Sequence, residues 1–76
     1  MAHAHTVLMS VNSDDGTHCV DVFRRTDGSF GFDLFRRDPE DSRGWYPVGH
    51  YGSRSYATVS DARAAATDAV PWAKFA

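Results

Sequence analysis

The stretch Ser29-Phe30-Gly31-Phe32-Asp33-Leu34-Phe35-Arg36-Arg37 decides the fold. Phe30, Phe32 and Leu34 alternate with Gly31 and Asp33, the period of two that marks a strand with one buried face. The segment before it, His18 to Arg25, reads as the partner strand of a hairpin, with Thr26-Asp27-Gly28 as the turn. A two-residue Asp27-Gly28 loop would pair Val22 with Asp33 and place a carboxylate among valines. A three-residue loop pairs Arg25 with Ser29, Val22 with Phe32 and Val20 with Leu34. It also puts Gly28 at the left-handed position that this loop class requires. A one-residue slip moves every side chain to the other face, so the burial pattern selects the three-residue loop. One face then carries Val20, Val22, Phe30, Phe32 and Leu34. The other carries Asp21, Phe23, Arg25, Gly31, Asp33, Phe35 and Arg37.

Downstream, Asp38-Pro39-Glu40-Asp41-Ser42-Arg43-Gly44 is a polar connection without a period. Trp45 to Tyr51 is a third strand, and Pro47 makes it an edge strand because proline cannot donate to a ladder. Gly52 to Ser55 leaves the sheet, and a helix is entered over Tyr56 to Asp61. Thr58 and Asp61 have capping-box spacing. Val59, Ala62, Ala66, Ala69 and Val70 form the apolar stripe. Pro71 ends the helix near Val70, and Trp72 and Phe75 are expected to fold back. Upstream, Thr6 to Val11 either adds a fourth strand or lies across a sheet face. Asn12 to Gly16 is a loop, without the ligand spacing of a calcium site. Residues 1–5 are expected to be unstructured.

The expected fold is therefore α+β. A three-stranded antiparallel meander, with or without an N-terminal fourth strand, packs on one C-terminal helix in two layers. The 76 residues form a single domain, 1–76. The net charge of −2 opposes general nucleic-acid binding, which normally shows a basic excess. One cysteine permits no internal disulfide, so a reducing, cytoplasmic setting is expected. No run suits a membrane span or a signal peptide. No motif for a cofactor or a phosphate is present.

The segment Val20 to Val70 resembles the YegP-like family of small uncharacterised bacterial proteins. The likeness lies in Phe30-Gly31-Phe32-Asp33-Leu34, Gly52-Ser53-Arg54-Ser55-Tyr56-Ala57-Thr58 and Ser60-Asp61-Ala62-Arg63-Ala64. It implies a β-β-β-α unit and supplies no activity. The layout is also similar to the arm-site DNA-binding domain of tyrosine recombinases, which lays a three-stranded sheet in the major groove. That likeness is one of fold alone.

The outward sheet face is the candidate binding surface. Phe23 and Phe35 stand there beside Arg25 and Arg37, and Trp45 and Tyr51 join them if Tyr46 and Val48 turn to the core. Aromatics between arginines can stack on bases and hold phosphates. Large apolar patches more often mark a covered face or a protein interface, and Asp21 and Asp33 reduce the positive potential. The preferred reading is a non-catalytic module that binds a protein partner or forms a homodimer through this face or a strand edge. The alternative is a nucleic-acid-binding sheet. Arg24-Arg25 and Arg36-Arg37 read as solvated strand ends, against a competing reading as a clamp for an acidic partner. Neighbouring strand residues point to opposite faces, so His18 and Cys19 do not form a base and nucleophile. His3 and His5 form a His-x-His pair able to hold a metal ion loosely, read here rather as a mobile end, and His18 with His50 lacks a third metal ligand. Asp14 with Asp15, and Glu40 with Asp41, sit in loops without a pocket to tune an acid.

Overall fold

The computed structural model describes residues 5–38, 40, 44–49 and 51–75. In chain order the elements are β1 (His5–Asn12), β2 (His18–Arg25), β3 (Phe30–Arg36), β4 (Tyr46–Pro47), a 3₁₀ turn (Tyr51–Ser53) and α1 (Val59–Ala69). The strands form one antiparallel sheet in the order β1-β2-β3-β4, and α1 packs on one face of it. This is a two-layer α+β arrangement.

The central hairpin has the three-residue loop. Val22 faces Phe32, Val20 faces Leu34, and the Arg25 N–H donates to the Ser29 carbonyl at 2.8 Å. Gly28 has φ +87°, which an L side chain rarely adopts. The Asp27 carboxylate closes the turn by accepting the Ser29 N–H at 2.9 Å and its hydroxyl at 2.7 Å. Val20, Val22 and Phe32 are fully buried. Each such side chain contributes about 1.5–3 kcal/mol over its exposed state, so these three dominate a small core.

Thr6–Val11 adds a strand rather than covering a face. β1 begins at His5, inside the segment expected to be unstructured, and residues 1–4 lie outside the described residues. Met9 and Val11 pack against the core. A bulge between Val7 and Met9 shifts the register and leaves Val7 and Leu8 exposed. Such a bulge inserts one extra residue and bends an edge strand.

The expected third strand, Trp45 to Tyr51, is cut short. Pro47 pairs with Phe35 and Tyr46 with Arg36, and Val48 donates to the Leu34 carbonyl at 2.9 Å. The chain then leaves the ladder through the 3₁₀ turn and returns at Tyr56, which exchanges two bonds of 2.8 and 2.9 Å with Phe30. Tyr56 therefore belongs to the sheet edge, and the helix starts only at Val59.

In α1, Thr58 is the N-cap, and its hydroxyl accepts the Asp61 N–H at 3.0 Å. Ala62 and Ala66 are fully buried, and their lack of bulk lets the helix approach the sheet closely. Ala69, expected on this stripe, is exposed, while Ala65 is partly buried. The helix ends at Ala69, so Val70 and Ala73 complete the buried line from a non-helical tail. Phe75 packs on the core, and the Trp72 ring meets His18 edge-on at 6.5 Å.

Candidate functional site

The sheet face away from α1 carries two arginine–aromatic pairs, and they have different surroundings. Phe23 pairs with Gly31 and Cys19 with Phe35. The two phenylalanines are therefore about 13 Å apart along the hairpin, at about 3.3 Å per residue. They cannot act as one cluster.

Phe23 is at the turn end and is only 4% exposed. The Arg25 guanidinium lies over its ring, with Cζ 4.9 Å from the centroid. From there it crosses β3 above Gly31. Nη2 donates to the Gly52 carbonyl and, at 3.1 Å, to that of Arg54. Nη1 donates to the Phe30 carbonyl at 3.3 Å and to the Ser29 and Ser55 hydroxyls at 3.4 and 3.5 Å. Gly31 makes this path available. A Cβ there would stand 2.9 Å from both terminal nitrogens and 3.0 Å from the Phe23 ring. Arg25 is thus a strap that holds the Gly52–Ser55 segment to the sheet, and Phe23 lies beneath it.

The other end is open. Ser10, Asn12, Cys19, Asp21, Phe35 and Trp45 line a hollow of about 330 Å³. Trp45 is 40% exposed and Phe35 half-buried. The Arg37 guanidinium lies over the Trp45 ring at 4.8 Å, and its Nη2 donates to the Gly16 carbonyl at 3.3 Å. On the floor, Asp21 Oδ1 accepts the Ser10 hydroxyl at 2.7 Å and the Cys19 thiol at 3.2 Å. The Ser10 hydroxyl also stands 3.1 Å from Cys19 Sγ. Burial pushes the Cys19 thiol up, and the neighbouring Asp21 carboxylate adds to the rise. The sulfur is therefore a weak nucleophile at neutral pH. Asp33 stands directly opposite Asp21, and its Oδ1 accepts the Leu34 N–H at 2.9 Å.

Tyr51 does not join this face. Its ring stacks on Phe32 at 4.9 Å, on the core side. The 3₁₀ turn breaks the alternation that would have carried it outward. The competing reading of the arginine pairs as a clamp comes apart. Antiparallel pairing puts Arg24-Arg25 beside Phe30 and Ser29, whereas Arg36 faces His18 at the opposite end of the hairpin. That separates the two pairs by about 25 Å.

A second polar group sits in the β1–β2 loop, at the open end. Asp15 Oδ1 accepts the hydroxyls of Ser13 and Thr17 at 2.6 and 2.7 Å and the Thr17 N–H at 3.0 Å. These bonds, the Ser13 hydroxyl first, hold its carboxyl well below the ordinary carboxylate range. The Thr17 hydroxyl also meets His18 Nδ1 at 2.9 Å. This network orders the loop, and the Thr17 hydroxyl gives its proton to Asp15 rather than to His18. His18 is directed to Trp72 and Cys19 to the hollow, on opposite faces. His3, Asp41 and His50, and the side chain of His5, lie outside the described residues. Among those described, no group of three or more His, Cys, Asp or Glu is placed to hold a metal ion. No described helix is long and apolar enough to cross a membrane.

Phe35, Arg37 and Trp45 were legible as members of this surface. Ser10 and Asn12 were not, because their place depends on how β1 pairs with β2. The strap role of Arg25 did have a signal in Gly31, since a glycine inside a strand often marks a close approach.

The chain matches no protein-family model, no curated protein and no solved structure. Neither resemblance noted in the sequence therefore adds weight to this surface.

Proposed function

We propose that the chain is a non-catalytic, cytoplasmic interaction module that binds protein through the open half of its outward sheet face. Its favoured specific form is a homodimer. The supporting observation is the hollow beside Trp45. A tryptophan 40% exposed next to Phe35, on a face that the single helix does not cover, is apolar surface suited to an interface. The outer edge of β1 adjoins this face, and a second copy could extend over it. A catalytic reading has less support. The one thiol is held protonated, and the Thr17 hydroxyl beside His18 gives its proton to Asp15 rather than to the imidazole. The nucleic-acid alternative also has less support, because Arg25 bonds to backbone carbonyls and Asp21 and Asp33 occupy the middle of the face.

Sedimentation at micromolar and millimolar concentration tests the homodimer. The expected result is concentration-dependent association that Trp45→Ser weakens. A monomer at millimolar concentration would remove the homodimer. Amide shifts on adding short duplex DNA, weakening steeply with salt, would favour the alternative instead.

A further inference from the structure

We infer that the hollow between Phe35, Trp45 and Asp21 is an acceptor for an arginine side chain of a protein partner. The inference rests on the reading of the outward face as a protein-binding surface and names the group bound there.

Three observations converge on it. The first is a pattern on the face itself. Of its three aromatic rings, Phe23 carries the Arg25 guanidinium at 4.9 Å and Trp45 carries that of Arg37 at 4.8 Å. Phe35 carries none among the described residues. Guanidinium groups favour aromatic faces because the ring quadrupole attracts a cation that is only weakly hydrated. The face thus uses this contact twice internally and leaves a third ring for an external group.

The second is charge. The two bonds received by Asp21 come from a neutral hydroxyl and a thiol, and both end on Oδ1. Among the described residues, none donates to Oδ2, which is left for a further donor. Asp21 is the carboxylate on the lining, so a cation brought into the hollow meets an opposite charge there. A guanidinium offers planar N–H donors that match a carboxylate edge.

The third is fit. The hollow of about 330 Å³ accommodates one arginine side chain. Asn12 and Ser10, also on its lining, supply oxygen acceptors for the remaining N–H groups. An ammonium would satisfy the carboxylate but would not stack.

The test is an amide-shift titration of the ¹⁵N-labelled protein with the peptide acetyl-Gly-Arg-Gly-amide and its lysine and citrulline counterparts. Citrulline keeps the shape of arginine and removes the charge. The arginine peptide is expected to move Ser10, Cys19, Asp21 and Phe35, with lysine weaker and citrulline weaker by about tenfold or more. Asp21→Asn keeps an acceptor for Ser10 and is expected to weaken arginine binding by about tenfold. Phe35→Leu keeps apolar volume without the ring face and is expected to weaken it several-fold. Equal response to citrulline and arginine, or shifts outside the hollow, overturns the inference on the unaltered protein, whatever the variants do. Sedimentation of the same samples separates the two claims. Self-association without an arginine response removes the arginine site and leaves the interaction module. An arginine response from a strict monomer removes the homodimer and leaves the site.

Discussion

The two ends of the outward sheet face are built from the same materials and behave differently. At the turn end, Phe23 lies under Arg25 and is almost fully buried, although α1 packs on the opposite face. At the far end, Phe35 and Trp45 border an open hollow, although Arg37 is stacked on Trp45. The difference lies in what the guanidinium reaches next. Arg25 finds the carbonyls of Gly52 and Arg54, because the chain returns to β3 beside it at Tyr56. Among the described residues, Arg37 bonds only to the Gly16 carbonyl at the loop. A positive charge multiply bonded to backbone holds a segment down. One with a single long bond leaves its surroundings accessible.

Truncating the two phenylalanines should separate the ends most sharply. Phe23→Ala should cost about 3–4 kcal/mol in urea unfolding, as for a buried ring. Phe35→Ala should cost about 1 kcal/mol, since solvent already reaches it, and should abolish association. Equal costs would mean that the hollow is part of the core. The arginines should differ next. Arg25→Ala should destabilise by about 2 kcal/mol, because it leaves carbonyls of the return segment without a charged donor. Arg37→Ala should cost under about 1 kcal/mol. Hydrogen exchange should quicken over residues 51–56 in the first variant alone.

Gly31→Ala sharpens the comparison without removing a bond directly. The added methyl group occupies the path of the guanidinium, so Arg25 must move off Phe23. A loss of about 1–2 kcal/mol is expected, with the same exchange pattern as Arg25→Ala. If Gly31→Ala is neutral, the strap does not depend on that crossing.

The smallest effect concerns pH. Asp15 at the open end and Asp27 at the turn end are each lowered from an ordinary value of 3.8, chiefly by hydroxyls of Ser13 and Ser29 respectively. A lowered carboxylate stabilises the fold fully above its ordinary value, and that contribution is lost as pH falls through the lowered one. Both groups are exposed, so the change in global stability should be slight. A carboxyl-carbon NMR titration should show both midpoints below 3.8, with Asp15 the lower of the two.

Much of this architecture was legible from local rules. Of the two- and three-residue loops, only the latter puts Val20, Val22, Phe32 and Leu34 on one face, and Gly28 supplied the turn it needs. Thr58 and Pro71 bracketed the helix because a cap and a missing N–H act within one turn of chain. The expectations that failed crossed a break in periodicity. Tyr51 was assigned outward by counting along a strand that ends at Pro47. The clamp, the less favoured reading of the arginine pairs, is excluded for a different reason: antiparallel pairing sends consecutive strand ends to opposite sides.

The sequence by itself determined the two faces of the hairpin. Alternation and turn chemistry are properties of adjacent residues and need no knowledge of the rest of the chain. Only the tertiary structure decided which half of the outward face stays open. That depends on β1 bringing Ser10 and Asn12 beside Cys19 and Asp21, and on the chain after Val48 returning at Tyr56, within reach of Arg25. These are contacts between distant segments, fixed by how well the whole core packs, and no local pattern encodes them.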